Sequence, residues 1–133
     1  MSYQEDVNVF MTIGGQPFPS QRCSLEEKPE LNSDQVRLYM DLITEEYNET
    51  LDAYNAGDVI EVADGIADMV WVIMGMASSL GIDFDAVWNE VKRSNMSKFT
   101  DGVAIRNPTT GKIMKPSTFS EPDLERVLYA RFE

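Results

Sequence analysis

Between Ser33 and Gly81 the chain carries two helix-length hydrophobic patterns separated by a break of three residues, and this pairing limits the fold more than any other feature. Apolar residues at Val36, Tyr39, Met40, Ile43, Tyr47, Leu51 and Tyr54 recur close to every 3.6 residues. With Ser33 and Asp34 supplying N-cap chemistry, they predict a helix from about 34 to 55. Asn55, Gly57 and Asp58 break it. Asp58 with Glu61 three residues later resembles a capping box, and Gly81 sits where a C′ glycine belongs, so a second helix is expected over about 59 to 80. So short a break implies an antiparallel helical hairpin.

After Asp68 the second pattern has no polar face: Met69, Val70, Trp71, Val72, Ile73, Met74, Met76, Ala77 and Leu80 surround it. A helix apolar all round must be covered all round, which 133 residues can hardly arrange alone, so a homodimer or homotetramer is expected. The run from Met69 to Leu80 is short of the roughly 18 to 20 residues that span a bilayer, and no membrane partner is expected. The N-terminus has neither a basic segment nor a long apolar stretch to direct export, and Cys23 is a lone thiol. Both fit a cytoplasmic protein.

Residues 14–32, with three prolines and two glycines, read as a connector. A third helix is expected from Asp83 or Asp85 to about Ser94, loops with a short hairpin at 103–114, and a last short helix opened by Ser120 with Asp123. The expectation is one all-α domain over 1–133. Its antiparallel hairpin belongs to a four-helix-bundle-type core at about 34–99, and residues 100–133 form a loop-rich C-terminal segment.

The chain has no histidine and one cysteine, which excludes a Ser/His/Asp or Cys/His catalytic apparatus, a Cys/His zinc site and an intramolecular disulfide. Its formal net charge of −12 is unevenly spread. Residues 26–91 hold 16 acidic against 2 basic side chains, while 92–115 hold Lys92, Arg93, Lys98, Arg106, Lys112 and Lys115 against Asp101 alone. Chemistry must therefore run on carboxylates, amides, hydroxyls, Lys and Arg.

Glu45, Glu46 and Glu49 fall within about 100° on the first helix, and Glu61, Asp64 and Asp68 within about 60° over about 10 Å of the second. An antiparallel hairpin lets these faces confront each other, where they repel unless neutralised. Oxygen-only sites of this kind suit Mg²⁺ or Mn²⁺. The plainer alternative is a solvated outer face with Glu61 merely capping; it is weaker for Asp64 and Asp68, which sit among apolar neighbours. No EF-hand loop is present.

Three blocks resemble the all-α nucleoside triphosphate pyrophosphohydrolases, the superfamily of MazG, the dimeric dUTPases and phosphoribosyl-ATP pyrophosphohydrolase. They are Glu45-Glu46-x-x-Glu49; the stretch from Ala63 to Val72 with Gly75 and Gly81-Ile82-Asp83; and Ser94-Asn95-Met96-Ser97-Lys98 with Gly111 to Lys115 and Glu121 to Leu124. Together they look like a small phage and bacterial branch. The resemblance implies Mg²⁺-dependent conversion of a (d)NTP to a (d)NMP and pyrophosphate. It implies metal ligands among Glu45, Glu49, Glu61, Asp64 and Asp68, and Glu46 as the residue that orients or deprotonates the attacking water. One position departs from it. Where MazG-type enzymes usually carry Glu three residues before the Asp, this chain has Gly65, so either Asp68 with neighbouring Asp64, or the Glu61/Asp64 pair one turn earlier, supplies the second set of oxygens.

Lys92, Arg93, Asn95, Lys98, Lys112 and Lys115 are the candidate phosphate and nucleoside contacts, on a loop expected to fold over the mouth of the hairpin. A nucleic acid as direct partner is not expected, because the acidic body would repel it. Two rival classes remain: an acidic interaction protein that mimics nucleic acid, and a catalytically inactive nucleotide-binding module.

Overall fold

The computed structural model describes residues 2–99 and 102–129, so Asp101, the one acid of the basic strip, lies outside the described residues. Among the described residues five helices follow one another: α1 (Tyr3–Ile13), α2 (Asp34–Ala56), α3 (Val59–Ser79), α4 (Phe84–Met96) and α5 (Leu124–Tyr129). The class is all-α. The expected hairpin at 103–114 reduces to a turn closed by an antiparallel bridge between Arg106 and Ile113, with Met114 N–H donating to Ile105 O at 2.7 Å. The chain forms two compact units, Met1–Phe84 and Asp85–Glu133.

In the first unit, α2 and α3 form the expected hairpin. Ser33 Oγ accepts from Val36 N–H to open α2, and Gly57, at φ +71° in the left-handed region that suits glycine, ends it. Asp58 Oδ1 accepts from Glu61 N–H at 3.1 Å to open α3. The capping box is only half made, because the Asp58 N–H is already donated to Ala53 O at 3.0 Å and leaves nothing for the Glu61 carboxylate to hold. Gly65 faces Thr50 and Gly75 faces the Tyr39 ring. Ten residues forward on α3 thus match eleven back on α2, which fixes the antiparallel sense.

These two glycines set the spacing of the helices. A β-carbon at Gly75 would lie 2.0 Å from the Tyr39 ring, and one at Gly65 would lie 2.1 Å from Thr50 Oγ1. Tyr39 is buried at the centre of the core with Val72 and Met74, and its hydroxyl donates to Gln16 Oε1.

The helix α1 was not among the expected elements. It lies on α3, burying Val7 and Met11 in the same core. Gln4 secures the α3 to α4 turn: its Nε2 donates to Ile82 O at 2.7 Å and its Oε1 accepts from Phe84 N–H at 2.9 Å. Ser78 Oγ donates to Asn8 Oδ1. The connector 14–33 is tied back where Cys23 N–H donates to Gly81 O at 3.0 Å and Arg22 meets Asp83 at 2.6 Å.

All-round burial of the run Met69 to Leu80 is not reached within the chain, since Val70, Trp71 and Ile73 each stay more than a third exposed. Among the described residues no single helix is long and apolar enough to cross a membrane.

The second unit is organised by one buried acid on α4. Glu90, 5% exposed, receives Arg93 through both oxygens at 2.6 and 3.0 Å, and its Oε2 also accepts from Asp123 N–H at 2.8 Å. Arg93 reaches on to Ser120 Oγ at 3.1 Å and Glu121 O at 3.0 Å. The last helix begins at Leu124, with Asp123 rather than Ser120 capping it through Arg126 N–H.

Candidate active site

Antiparallel pairing decides which acids can meet. Gly65 and Gly75 mark the stripe of α3 that faces α2, and Tyr39, Glu46 and Thr50 lie along the stripe of α2 that faces α3. Residues one position earlier on each helix turn to one side of the hairpin, and residues one position later turn to the other. Glu45, Glu49 and Asp64 belong to the first side, where α1 also lies; Glu46 and Asp68 point more nearly into the seam.

Electrostatics agree with that placement. The Glu46 carboxyl is pushed above its ordinary range first by burial, then by the charges of Glu49 and Asp68, by a hydrogen bond to Glu49, and by the charge of Glu45. Asp68 is pushed up by burial and then by the charge of Asp64 and a hydrogen bond to it. Five of the six expected carboxylates thus interact, joined as a Glu46–Glu49 pair and an Asp64–Asp68 pair. Glu46 Oε2 is buried without a hydrogen-bond partner. A buried carboxylate oxygen without a partner is costly, and native proteins seldom keep one without use.

Glu61 is exposed at the start of α3, where its backbone N–H makes the capping contact to Asp58 Oδ1. Among the described residues no three carboxylates already converge tightly enough to grip a metal ion. The donor set nevertheless fits one. Carboxylate oxygens alone, one of them buried and unpartnered, are the ligands that hard divalent cations take.

The basic candidates all lie in the second unit. Arg93 is committed to Glu90, which the Arg93 guanidinium and then the Asp123 N–H pull down to about 2, and to the 120–121 segment. Lys98 and Lys115 stand 5.9 and 4.9 Å from the centre of the Phe119 ring. Lys92 and Asn95 are exposed on α4, and Lys112 is exposed beyond the 107–111 turn.

Gly65 is the site feature that sequence reading undervalues. It occupies the position where the resemblance leads one to expect Glu, but it faces Thr50, and a β-carbon there would lie 2.1 Å from Thr50 Oγ1. Of the acids in the two registers left open by the sequence, Asp68 is the one whose charge acts on Glu46 across the seam.

The all-α hairpin thus brings carboxylates of both its helices to one seam. The family model for phosphoribosyl-ATP pyrophosphohydrolase matches residues 21–95, more than half of the chain. The chain belongs to that family, a part of the MazG-like pyrophosphohydrolase superfamily whose members typically depend on a divalent metal. Over 54 residues it is also 39% identical to an uncharacterised protein of Acanthamoeba polyphaga mimivirus, covering 41% of this chain and 22% of that protein. The chain therefore spans about a fifth of the length of this relative.

Proposed function

We propose that the protein is a Mg²⁺-dependent nucleoside triphosphate pyrophosphohydrolase, Mn²⁺ also serving, that cleaves a (d)NTP to a (d)NMP and pyrophosphate. The observation that carries the reading is the buried, unpartnered Glu46 Oε2 set among Glu45, Glu49, Asp64 and Asp68. Glu45, Glu49, Asp64 and Asp68 would hold the metal, with Glu61 outside the set. When bound, the metal supplies positive charge that polarises phosphoryl oxygens and acidifies water. The role of the chain is to hold these carboxylates fixed on two helices spaced by Gly65 and Gly75. Glu46 accepts the proton of the attacking water, and burial within the hairpin makes its carboxylate a stronger base than an exposed one. Lys92, Asn95, Lys98, Lys112 and Lys115 of the second unit remain candidate phosphate or nucleoside contacts by their chemistry alone.

The same reading includes a homodimer or homotetramer. Met40, Tyr47 and Leu51 each follow an α3-facing residue of α2, and Ile66 and Ile73 stand in the same relation on α3, so in an antiparallel hairpin they share the side opposite α1. Tyr47 is 56% and Ile66 53% exposed, and a second copy laid on this face would cover them.

Release of pyrophosphate from a panel of canonical (d)NTPs with Mg²⁺ tests the activity. An acidic mimic would release none with any metal, and an inactive binding module would bind nucleotide without turnover.

A further inference from the structure

On the side of the hairpin that carries Glu45, Glu49 and Asp64 there is also an open cavity of about 360 Å³ between α1 and α3. Tyr3 and Asp6 line it from α1, and Ala67, Val70, Trp71 and Met74 line it from α3. The periodicity of α3 ties it to the acids: Asp64 and Trp71 are seven residues apart and so on one stripe, while Trp71 stands one turn beyond Asp68, about 5 Å along the axis. Phe10 braces the Trp71 ring edge-on, with centroids 5.4 Å apart and planes at 82°. The lining is apolar and partly aromatic, with Asp6 its one ionisable carboxylate.

A cavity of this character suits a flat, apolar-faced ring with polar edges. Its distance from the acids, one to two helical turns, is about the reach of a ribose with its 5′-phosphate. We infer that the α1–α3 cavity receives the base of the nucleotide whose phosphates the carboxylates bind. Trp71 and Tyr3 lie against the ring, and Asp6 accepts a hydrogen bond from a base N–H. The inference rests on the function proposed above and deepens it. It gives α1, which lies outside the family match at 21–95, the task of completing the substrate site.

Titration calorimetry of the full chain with Mg²⁺ tests it, using α,β-methylene nucleoside triphosphates of all four bases and inorganic tripolyphosphate as the base-free probe. The parent should bind at least one nucleotide roughly tenfold or more tighter than tripolyphosphate. Ala67→Leu, which grows a side chain into the open cavity, should bring nucleotide affinity down toward that of tripolyphosphate. Asp6→Asn, which exchanges an acceptor for a group that also donates, should change the order of preference among the bases. If the parent binds neither nucleotide nor tripolyphosphate, the nucleotide reading fails and takes the cavity assignment with it. Equal binding of nucleotide and tripolyphosphate by the parent overturns the cavity assignment alone. So does a folded Ala67→Leu protein that binds nucleotides as the parent does, or an Asp6→Asn protein with an unchanged order of bases.

Discussion

Gly65 on α3 lies so close to Thr50 on α2 that a β-carbon at residue 65 would come within 2.1 Å of Thr50 Oγ1 and 3.0 Å of its Cβ. Thr50 cannot easily turn away, because its hydroxyl donates to Glu46 O at 2.7 Å on the same helix as the central acid. The spacing of the hairpin and the setting of Glu46 therefore meet at one contact.

Gly65→Ala should accordingly destabilise the protein. Replacing a mid-helix glycine gains about 0.5 to 1 kcal/mol, whereas forcing bulk into a close contact costs about 1 to 3 kcal/mol, so the net sign is a loss. Adding Thr50→Ala should recover part of it, a coupling that a double-mutant cycle in urea measures. Gly65→Glu, which restores the residue usual in MazG-type enzymes, should lower activity rather than raise it. Independent, additive effects at 50 and 65 would mean that the helices do not touch there.

The carboxylates give an opposite pair of pH dependences. Glu46 and Asp68 have folded-state values above their ordinary 4.5 and 3.8, so without divalent metal their contribution to stability is present at acid pH and is lost as pH rises through the raised values. Glu46→Gln should therefore stabilise the metal-free protein at neutral pH, and Mg²⁺ should raise the Tm of the parent beyond what monovalent salt of equal ionic strength achieves. Thermal melts with EDTA, with NaCl and with MgCl₂ separate these cases.

Glu90 behaves the other way. Its folded value is held down to about 2, so its contribution is present above an ordinary value of 4.5 and is lost as pH falls from there through about 2. Glu90→Gln should lose stability at neutral pH and flatten the acid limb of the Tm profile. It should also speed hydrogen exchange of the Asp123 amide, which Glu90 Oε2 holds. Arg93→Ala should show the same signs. A variant at Arg93 that lost only nucleotide affinity, with its melting unchanged, would contradict a structural role.

Glu61 separates ligand from cap. Its backbone N–H, not its carboxylate, makes the capping bond, so Glu61→Gln should change stability by less than about 0.5 kcal/mol and keep turnover within tenfold of the parent. Asp68→Asn should cost several orders of magnitude in kcat, the scale of lost metal charge stabilisation. A loss of that size in Glu61→Gln, with turnover kept in Asp68→Asn, would restore the earlier register.

The hairpin is legible in the sequence because period, caps and break length act locally: Ser33, Gly57 and Gly81 mark its joints as plainly in the chain as in space. The acids share that legibility, since spacings of three, four and seven residues fix a helix face. Part of α1 was also written there. Ser2 Oγ accepts from Glu5 N–H in a Ser-x-x-Glu capping arrangement, and Val7 and Met11 recur four residues apart. Its short length and mixed polarity hide the helix until α3 provides a surface to bury it. The collision waiting at Gly65 depends on a residue fifteen positions away, and the burial of Glu90 depends on the 120–126 segment folding over α4. Neither has a local signature. Arg93 shows the consequence: its charge reads as a phosphate ligand, although Glu90 stands three residues earlier on the same helix, and only the 120–126 segment closing over that pair commits it.

The most direct measurement of the catalytic account is the product of single-turnover hydrolysis of α-labelled nucleoside triphosphates by the parent and by Glu46→Gln and Glu49→Gln. With Mg²⁺ the parent should convert at least one (d)NTP to labelled monophosphate with stoichiometric pyrophosphate. The two variants should remain folded and lose nearly all of that conversion. Diphosphate and orthophosphate as products, no product from any nucleotide with Mg²⁺ or Mn²⁺, or undiminished turnover in both variants would each contradict the account.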